Sequence, residues 1–298
     1  MFILTFAVIG LSVFFYLSGM KTTLLFLSVF LSASLFGQNV YIPDANFKAY
    51  LVGNPEINTN GDTEIQVSEA STFDGTIDCQ DISISDLTGI EAFIAITELN
   101  CRENNISSLN VSANIALTVL ICDENNMTSL NLSNNIALTM LNCDENNLTS
   151  LDVSNCTDLM VLNCFDNQIT SLNLSNNANL TSLHCYNNQL QCLNVKNGNN
   201  TAFIGFFANG NFNLGCIEVD DINYSTVNWT SIAAQTSFSE NCNNDCSSST
   251  AAISEITTSK NLIHIHDMMG REATFKPNTP LIYVYDDGSI EKVFSVEY

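Results

Sequence analysis

The fold of this chain is decided by a sequence repeat whose central copy contains Leu138-Thr139-Met140-Leu141-Asn142-Cys143-Asp144-Glu145-Asn146-Asn147-Leu148. Between Ile96 and Val195 the repeat occurs five times with a period of 21 residues and no insertion. A cysteine column marks the period most clearly, at Cys101, Cys122, Cys143, Cys164 and Cys185. A fixed period of this kind is typical of a solenoid, in which each copy forms one rung.

Alternation within each copy predicts one short strand per rung. Leu141 and Cys143 are two residues apart, so both point to the same face of an extended chain. Stacked copies would hide these side chains in a continuous core and pair the strands in a parallel sheet. We expect the cysteine column to be buried and reduced. Cys156 and Cys192 replace Asn and Ser of other copies, and we interpret them as drift on the convex side.

An asparagine follows each predicted strand, where the chain has to turn. The column consists of Asn104, Asn125, Asn146, Asn167 and Asn188. We expect its side-chain amides to satisfy backbone groups of the turn and of the next rung. The opposite wall, with Leu148, Leu151 and Val153 in the central copy, has Ser, Thr and Asn between its apolar positions. This pattern favours an extended or short 3₁₀ convex side over an α-helix.

The repeated frame resembles the short bacterial leucine-rich repeats of internalin-type surface proteins. The resemblance implies a β-rich, right-handed solenoid of parallel strands with little helix and a cap at each end. We assign residues 38–78 to the N-terminal cap, 79–215 to the repeats and 216–246 to the C-terminal cap. Ile77-Asp78-Cys79 opens a degenerate first rung, since Cys79 lies 22 residues before Cys101.

The N-terminal cap contains a helix signal and a metal-site signal. Asp44 is placed to cap a short helix, and a twelve-residue segment beyond it resembles the calcium loop of EF-hands. The oxygen ligands of that loop would be the side chains of Asn58, Asn60, Asp62 and Glu69 and the backbone carbonyl of Glu64. Asn58 replaces the usual Asp and Thr63 the usual Gly, so two interpretations remain, a Ca²⁺ cofactor site and a metal-free polar turn.

The first 37 residues have the pattern of a leader and signal peptide. We expect translation to start at Met20 and cleavage to fall near Gly37, because Lys21 precedes an apolar run and small residues follow it. An uncleaved apolar hairpin in a membrane is the alternative. Removal of the signal would leave no stable membrane span.

The end of the chain is predicted to be a separate β module. Residues 247–258 form a Ser-rich linker, and residues 259–298 carry three strand patterns, two of them around Asp287-Gly288, a hairpin signal. These residues, with the turn Asp267-Met268-Met269-Gly270-Arg271, are similar to the type A C-terminal sorting domain of the type IX secretion system of Bacteroidota. The resemblance implies a small sandwich-like module, contact with the secretion machinery, and release or attachment at the outer cell surface.

Cysteines outside the column suggest a covalent cap. Eleven cysteines occur in total, and an exported chain permits disulfides. We expect Cys216 to pair with Cys242 in the C-terminal cap, and Cys246 is the rival partner. A disulfide between Cys216 and Cys242, which are 26 residues apart, would stabilise the fold by on the order of 3 kcal/mol.

Charge restricts the partners of this protein. The formal net charge is −23, with only 8 Lys and Arg residues. This balance argues against nucleic acid and anionic membrane surfaces. The outward strand positions instead predict a concave surface that binds a protein or glycan ligand. The alternative is an ordinary solvated face that has no ligand. The candidate residues are Asp123, Asn142, Asp144, Asn163, Phe165, His184 and Tyr186.

No pattern in the sequence indicates catalysis. His184 and Cys185 are adjacent in a strand and therefore point to opposite faces, and no nucleophile elbow or phosphate loop occurs. His264 and His266 have metal-like spacing, but in a sorting module a solvated or packed pair explains them better. We predict a non-enzymatic adhesin or receptor, with a structural surface protein and an undetected hydrolase as the alternatives.

Overall fold

The computed structural model describes residues 37–243, 246, 271 and 273, and the strands at 7–8, 11–12, 262–267, 280–285 and 290–294. The chain divides into two compact units, residues 1–248 and 249–298. Strands β1 (Ala7–Val8) and β2 (Leu11–Ser12) pair antiparallel. The predicted signal segment, residues 20–37, lies outside the described residues except for Gly37. Within the described ranges no helix has the length and apolar character needed to cross a bilayer.

Parallel strands of three residues form the main sheet of the first unit. They are β3 (Thr76–Asp78), β4 (Glu98–Asn100), β5 (Val119–Ile121), β6 (Met140–Asn142), β7 (Val161–Asn163), β9 (Ser182–His184) and β11 (Gly205–Phe207). These strands pair in chain order, with equivalent repeat positions opposite each other, as Leu141 is opposite Leu162. One further rung is marked by a parallel bridge between Phe207 and Ser231. The predicted solenoid is confirmed.

Buried and partly exposed side chains alternate along each strand as predicted, and the buried ones form the core. Leu141 and Cys143 have no exposed surface, whereas Met140 and Asn142 between and beside them are partly exposed. All five cysteines of the column are buried and free. Burial raises the pKa of the Cys185 thiol to about 12, which keeps it protonated at neutral pH. The expectation of a buried, reduced column is therefore confirmed.

The asparagine column closes the turn of every repeat. The Asn146 side chain donates hydrogen bonds to the carbonyl oxygens of Cys122, Cys143 and Asp144 at 3.0, 3.3 and 3.0 Å. Its own oxygen accepts from the backbone N–H of Met127 at 2.9 Å. Cys122 and Met127 belong to the preceding rung, so the expected link to the next rung is wrong in direction. The amide points back because its turn lies over the end of the previous strand.

In each repeat the second residue after the column cysteine has a left-handed backbone conformation. Its φ values are 53° at Glu103, 52° at Glu124, 47° at Glu145, 48° at Asp166 and 51° at Asn187. The sequence did not reveal this feature, because glutamate is a poor residue for positive φ. The turn that the Asn146 amide closes requires this conformation, and the repeat therefore keeps it whatever the side chain.

The side of the solenoid opposite the main sheet is extended, and its last turns form a second parallel sheet. The sheet has the order β13, β12, β10, β8. Its strands are β8 (Ser171–Asn173), β10 (Cys192–Asn194), β12 (Cys216–Glu218) and β13 (Ser237–Ser239). Asn135 lies in a second buried asparagine column on this side and donates to the carbonyl oxygens of Val111 and Asn114. Cys156 occupies the same column and is buried and free.

Helices close both ends of the solenoid. The N-terminal cap contains α1 (Ala45–Gly53) and α2 (Val67–Thr72), and Asp44 caps α1 by accepting from the N–H groups of Asn46 and Phe47. At the other end, α3 (Ile222–Asn228) precedes Trp229. The Trp229 ring stacks on Phe206 at a centroid distance of 4.0 Å and covers the last core layer. Helices α2 and α3 were not predicted.

Two disulfides fasten the C-terminal end of the solenoid. Cys216 is bonded to Cys242, the pairing expected from the sequence. Cys192 is bonded to Cys246 with a Cα–Cα distance of 5.4 Å. The interpretation of Cys192 as drift is therefore wrong. Cys192 begins strand β10. Cys246 lies beside it, and the Cys246 carbonyl also accepts from the Ser171 hydroxyl.

The second unit contains an antiparallel sheet in its described part. Strands β14 (Leu262–Asp267), β15 (Pro280–Tyr285) and β16 (Ile290–Phe294) follow each other in that order. β15 and β16 flank residues 286–289, the predicted hairpin turn, which lies outside the described residues. The His264 and His266 rings are 5.9 Å apart on β14.

Candidate ligand-binding face

The outward side of the seven-stranded sheet, which we call the strand face, collects every candidate ligand residue. One column runs through Asn142, Asn163 and His184, which are paired positions of β6, β7 and β9. The second column lies two residues further along each rung. It comprises Arg102, Asp123, Asp144, Phe165 and Tyr186. Side chains two apart share a face of a strand, so the seven predicted residues form one surface.

The first part of the second column is an ionic network. The Arg102 guanidinium contacts Asp123 with Nε to Oδ2 at 3.0 Å, and it also pairs with Glu124. Asn142 donates from Nδ2 to Asp123 Oδ1 at 2.9 Å. Asp123 is 3% exposed, and burial raises its pKa although both oxygens have partners. Arg102 was not among the predicted residues, although its place in the column was the signal.

Asp144 lies one rung further on and has a different environment. It is 4% exposed, and its Oδ1 has no hydrogen-bond partner. Burial, followed by repulsion from Asp123, raises the pKa of Asp144 to about 7. A buried carboxyl with an unpaired oxygen is uncommon, because removing it from water is costly without compensation. Groups with such perturbed acidity are concentrated at functional sites.

An aromatic pair continues the column. The rings of Phe165 and Tyr186 are stacked, with centroids 4.4 Å apart and planes within 10°. In the neighbouring column His184 meets Phe207 edge to face at 4.7 Å, and burial lowers the pKa of His184. Phe207 was also missed, since the repeat register loosens there in the sequence. The strand face therefore changes from ionic to aromatic along the solenoid.

Comparison with known proteins gives matches to internalin-type chains. No family model matches the sequence. Internalin J of Listeria monocytogenes is 35% identical over 77 residues, which is 26% of this chain but 8% of that protein. The chain thus corresponds to a small part of this relative's length.

Solved structures give the same picture. The functional domain of InlJ from Listeria monocytogenes, which "includes a cysteine ladder", is 28% identical with a TM-score of 0.38 over 59% of this chain and 50% of that chain. Internalin C2 from the same species is 16% identical with a TM-score of 0.45 over 67% of this chain and 95% of that chain. The described residues of the first unit form a parallel-strand β-solenoid with little helix.

The EF-hand-like loop in the N-terminal cap of the solenoid is closed by its own donors. Glu69 Oε1 accepts from the backbone N–H and hydroxyl of Thr59, both at 2.9 Å, and Oε2 accepts from the N–H of Gln66 at 3.0 Å. Glu64 pairs with Lys48 at 2.7 Å. A calcium ion would have to compete for the Glu69 carboxylate, whereas the Glu64 ion pair leaves the predicted backbone carbonyl ligand untouched, and calcium binding remains a prediction.

The other oxygen groups of that loop are also engaged. Asn58 Oδ1 accepts from Gly61 N–H at 3.1 Å, and Asn60 Oδ1 accepts from Asp62 N–H at 2.7 Å. Asp62 Oδ1 accepts from the N–H of Glu64 at 2.7 Å. Across the described ranges, no group of three or more His, Cys, Asp or Glu residues is arranged to hold a metal.

The geometry around His184 does not form a catalytic pair with its neighbour. Cys185 is fully buried on the core side, whereas His184 lies on the strand face. A protonated, buried thiol is not a nucleophile. What the strand face offers is acceptor oxygens and aromatic surface, which suit non-covalent binding.

Proposed function

We propose that this protein is an exported leucine-rich repeat protein that binds a protein partner through the strand face, acting as an adhesin or receptor. One observation carries the proposal, namely that Asp144, a buried carboxyl whose Oδ1 has no donor, lies in the same column as the stacked pair Phe165 and Tyr186. Aromatic groups at the centre of a polar surface are the usual anchors of protein interfaces. Concavity of this face is part of the proposal.

Export and surface attachment form the second part of the proposal. The supporting features are the signal pattern in residues 20–37 and the sorting-domain resemblance of residues 259–298. The two disulfides suit an oxidising compartment. We expect deletion of residues 261–298 to trap the protein in the periplasm, measured by fractionation and immunoblotting. Undiminished export would contradict the role of the module.

The binding role is tested with a screen of the purified full chain against secreted and surface proteins in one arm and polysaccharides in the other. Protein ligands captured by the wild type should lose at least tenfold in affinity when Phe165 and Tyr186 are both changed to Ala. The matched control is Ile115→Ala with Ile136→Ala, because both isoleucines are 60% exposed outside the strand face. Ligands found only in the polysaccharide arm, or equal losses in both double variants, would overturn the proposal.

The hydrolase alternative has its own discriminating variants. Hydrolysis of any offered polymer that survives Phe165→Ala but is abolished by His184→Ala would favour an enzyme. The Cys185 thiol is protonated, and among the described residues no donor or carboxylate contacts His184, so neither group supports that outcome. We therefore conclude in favour of binding.

A further inference from the structure

Three acceptor oxygens without donors lie together at the middle of the strand face, and three more, of Asn114, Asn135 and Asn177, lie in the buried asparagine column on the other side. Asn142 Oδ1, Asn163 Oδ1 and Asp144 Oδ1 are buried and have no hydrogen-bond partner. Asn142 and Asn163 are paired positions on β6 and β7. Asp144 follows Asn142 by two residues, so the three groups share one face within about 5–7 Å of one another along and across the strands. Unpaired buried acceptors are costly unless an ordered water or a bound group supplies the donors.

The repeats contain no cation that could serve this cluster. Arg102 is the single Lys or Arg between residues 96 and 195, and it is held by Asp123 and Glu124. Acidic side chains surround the cluster: after burial, the carboxylates of Asp166, Asp144 and Glu145 are the groups that raise the pKa of the neighbouring Tyr186. A cationic group from outside would meet both the unpaired oxygens and these carboxylates.

The aromatic pair defines the shape of what can enter. β7 lies between β6 and β9 in the sheet, so Phe165 lies between Asp144 and Tyr186 in their column. Tyr186 covers one face of the Phe165 ring at 4.4 Å with nearly parallel planes. The opposite face of Phe165 is therefore turned toward the rung of Asp144. A flat cation could lie on this ring while bonding to the acceptors beside it.

We propose that the cluster of Asn142, Asp144 and Asn163 receives the guanidinium group of an arginine presented by the protein partner, an inference that rests on the proposed function. A guanidinium is planar, stacks on aromatic faces and carries five N–H donors in one plane, whereas an ammonium is compact and strongly hydrated. Arg102 beside Asp123, one rung away, is an internal example of the same pairing. Arginine–carboxylate hydrogen bonds are among the stronger ones in proteins.

The test uses N-acetyl-arginine methylamide as the probe, titrated into the full chain and followed by NMR of the Asn side-chain amides and aromatic rings. We expect millimolar binding that shifts signals of Asn142, Asn163 and Phe165. Binding should weaken at least fivefold for the citrulline analogue, which lacks the charge, and for Asp144→Asn. Asp152→Asn is the control, since it removes the same charge from an exposed convex position whose turn to Ser154 an amide can maintain.

Several outcomes would overturn the inference. They are equal binding of the citrulline or lysine analogue, equal weakening in Asp144→Asn and Asp152→Asn, and shifts confined to residues outside the strand face. Phe165→Leu provides a second variant should Asp144→Asn fail to fold, and we expect it to weaken arginine binding two- to fivefold. No change in that variant would also refute the stacking.

The inference and the proposed function fail in different ways. A protein partner that depends on Phe165 and Tyr186 but binds Asp144→Asn as tightly as the wild type would remove the arginine inference and leave the function standing. A partner indifferent to the aromatic substitutions would remove the function, whatever the arginine probe does.

Discussion

Asp144→Asn should make the protein more stable at pH 8 while impairing the strand face. The wild-type carboxyl has a pKa of about 7 in the folded state against 3.8 ordinarily. Between these values the folded chain binds more protons than the unfolded chain, so the wild type loses stability as pH rises from about 4 to 7. An amide does not ionise and escapes this loss. Stability gained by weakening a functional group is a recurrent trade-off.

The size of the effect follows from the pKa difference. Each pH unit between the folded and unfolded values corresponds to about 1.4 kcal/mol, which gives roughly 4 kcal/mol as an upper limit. Asp123 shares the repulsion, so the substitution should gain about 2–4 kcal/mol at pH 8 and close to zero at pH 4.

Urea unfolding at pH 4, 6 and 8 measures this difference. The chain has one tryptophan, and Trp229 is 4% exposed in the C-terminal cap, so its fluorescence reports that end while far-UV circular dichroism reports the whole array. Asp152→Asn, at an exposed position outside the strand face, should change stability little at any pH. A stability gain independent of pH, or a loss at pH 8, would refute the assigned burial of the charge.

Three further predictions concern the framework. Asn146→Ala removes the hydrogen bonds of this amide to three carbonyl oxygens and one N–H group and should lower the unfolding free energy by about 3–5 kcal/mol. Asn147→Ala, at the exposed neighbouring position, should lower it by less than about 1 kcal/mol. Similar losses for the two variants in urea titrations would contradict the ladder. Glu145→Gly relieves the strain of a φ of 47° and should raise the unfolding free energy by about 0.5–1 kcal/mol. Glu98→Gly in strand β4 should lower it. A loss of stability in Glu145→Gly together with a gain in Glu98→Gly would be inconsistent with the left-handed turn. Burial opposes ionisation of Glu69, but hydrogen bonds from Gln66, Thr59 and Asn60 outweigh it and hold its pKa low. The ionised carboxylate therefore stabilises the fold above the ordinary carboxyl pKa, and this stabilisation is lost as pH falls through the pKa of the folded state. Glu69→Ala should therefore cost about 1–3 kcal/mol at pH 7 without Ca²⁺, and a calorimetric Ca²⁺ signal in the wild type that this variant lacks would establish the calcium site.

The repeats were predictable in detail because their pattern makes only local demands. Alternation of Leu141 and Cys143 with polar neighbours determines which side is hidden, and the fixed period determines which residues stack. The same two facts place the seven candidate residues on one face. Glu145 shows the limit, since its left-handed turn is imposed by the ladder of asparagine amides and contradicts its own preference.

What the sequence did not reveal depends on contacts between distant or irregular segments. Cys192 acquired a partner only because the path after β13 returns to β10, and no periodicity governs that segment. The unpaired oxygen of Asp144 depends on side-chain directions in three rungs and on the capture of Arg102 by Asp123. Such details set the chemistry of the face, and alternation alone cannot supply them.

The position of the two disulfides gives the array a direction of failure. Both bonds lie at the C-terminal end, closing sequence separations of 54 and 26 residues, and each should restrict the unfolded chain by roughly 3–4 kcal/mol. In a one-dimensional stack, rungs detach from the less secured terminus first. Under heat, protease or mechanical load, the protein should unzip from the α1 end and leave the last rungs as a cross-linked stub.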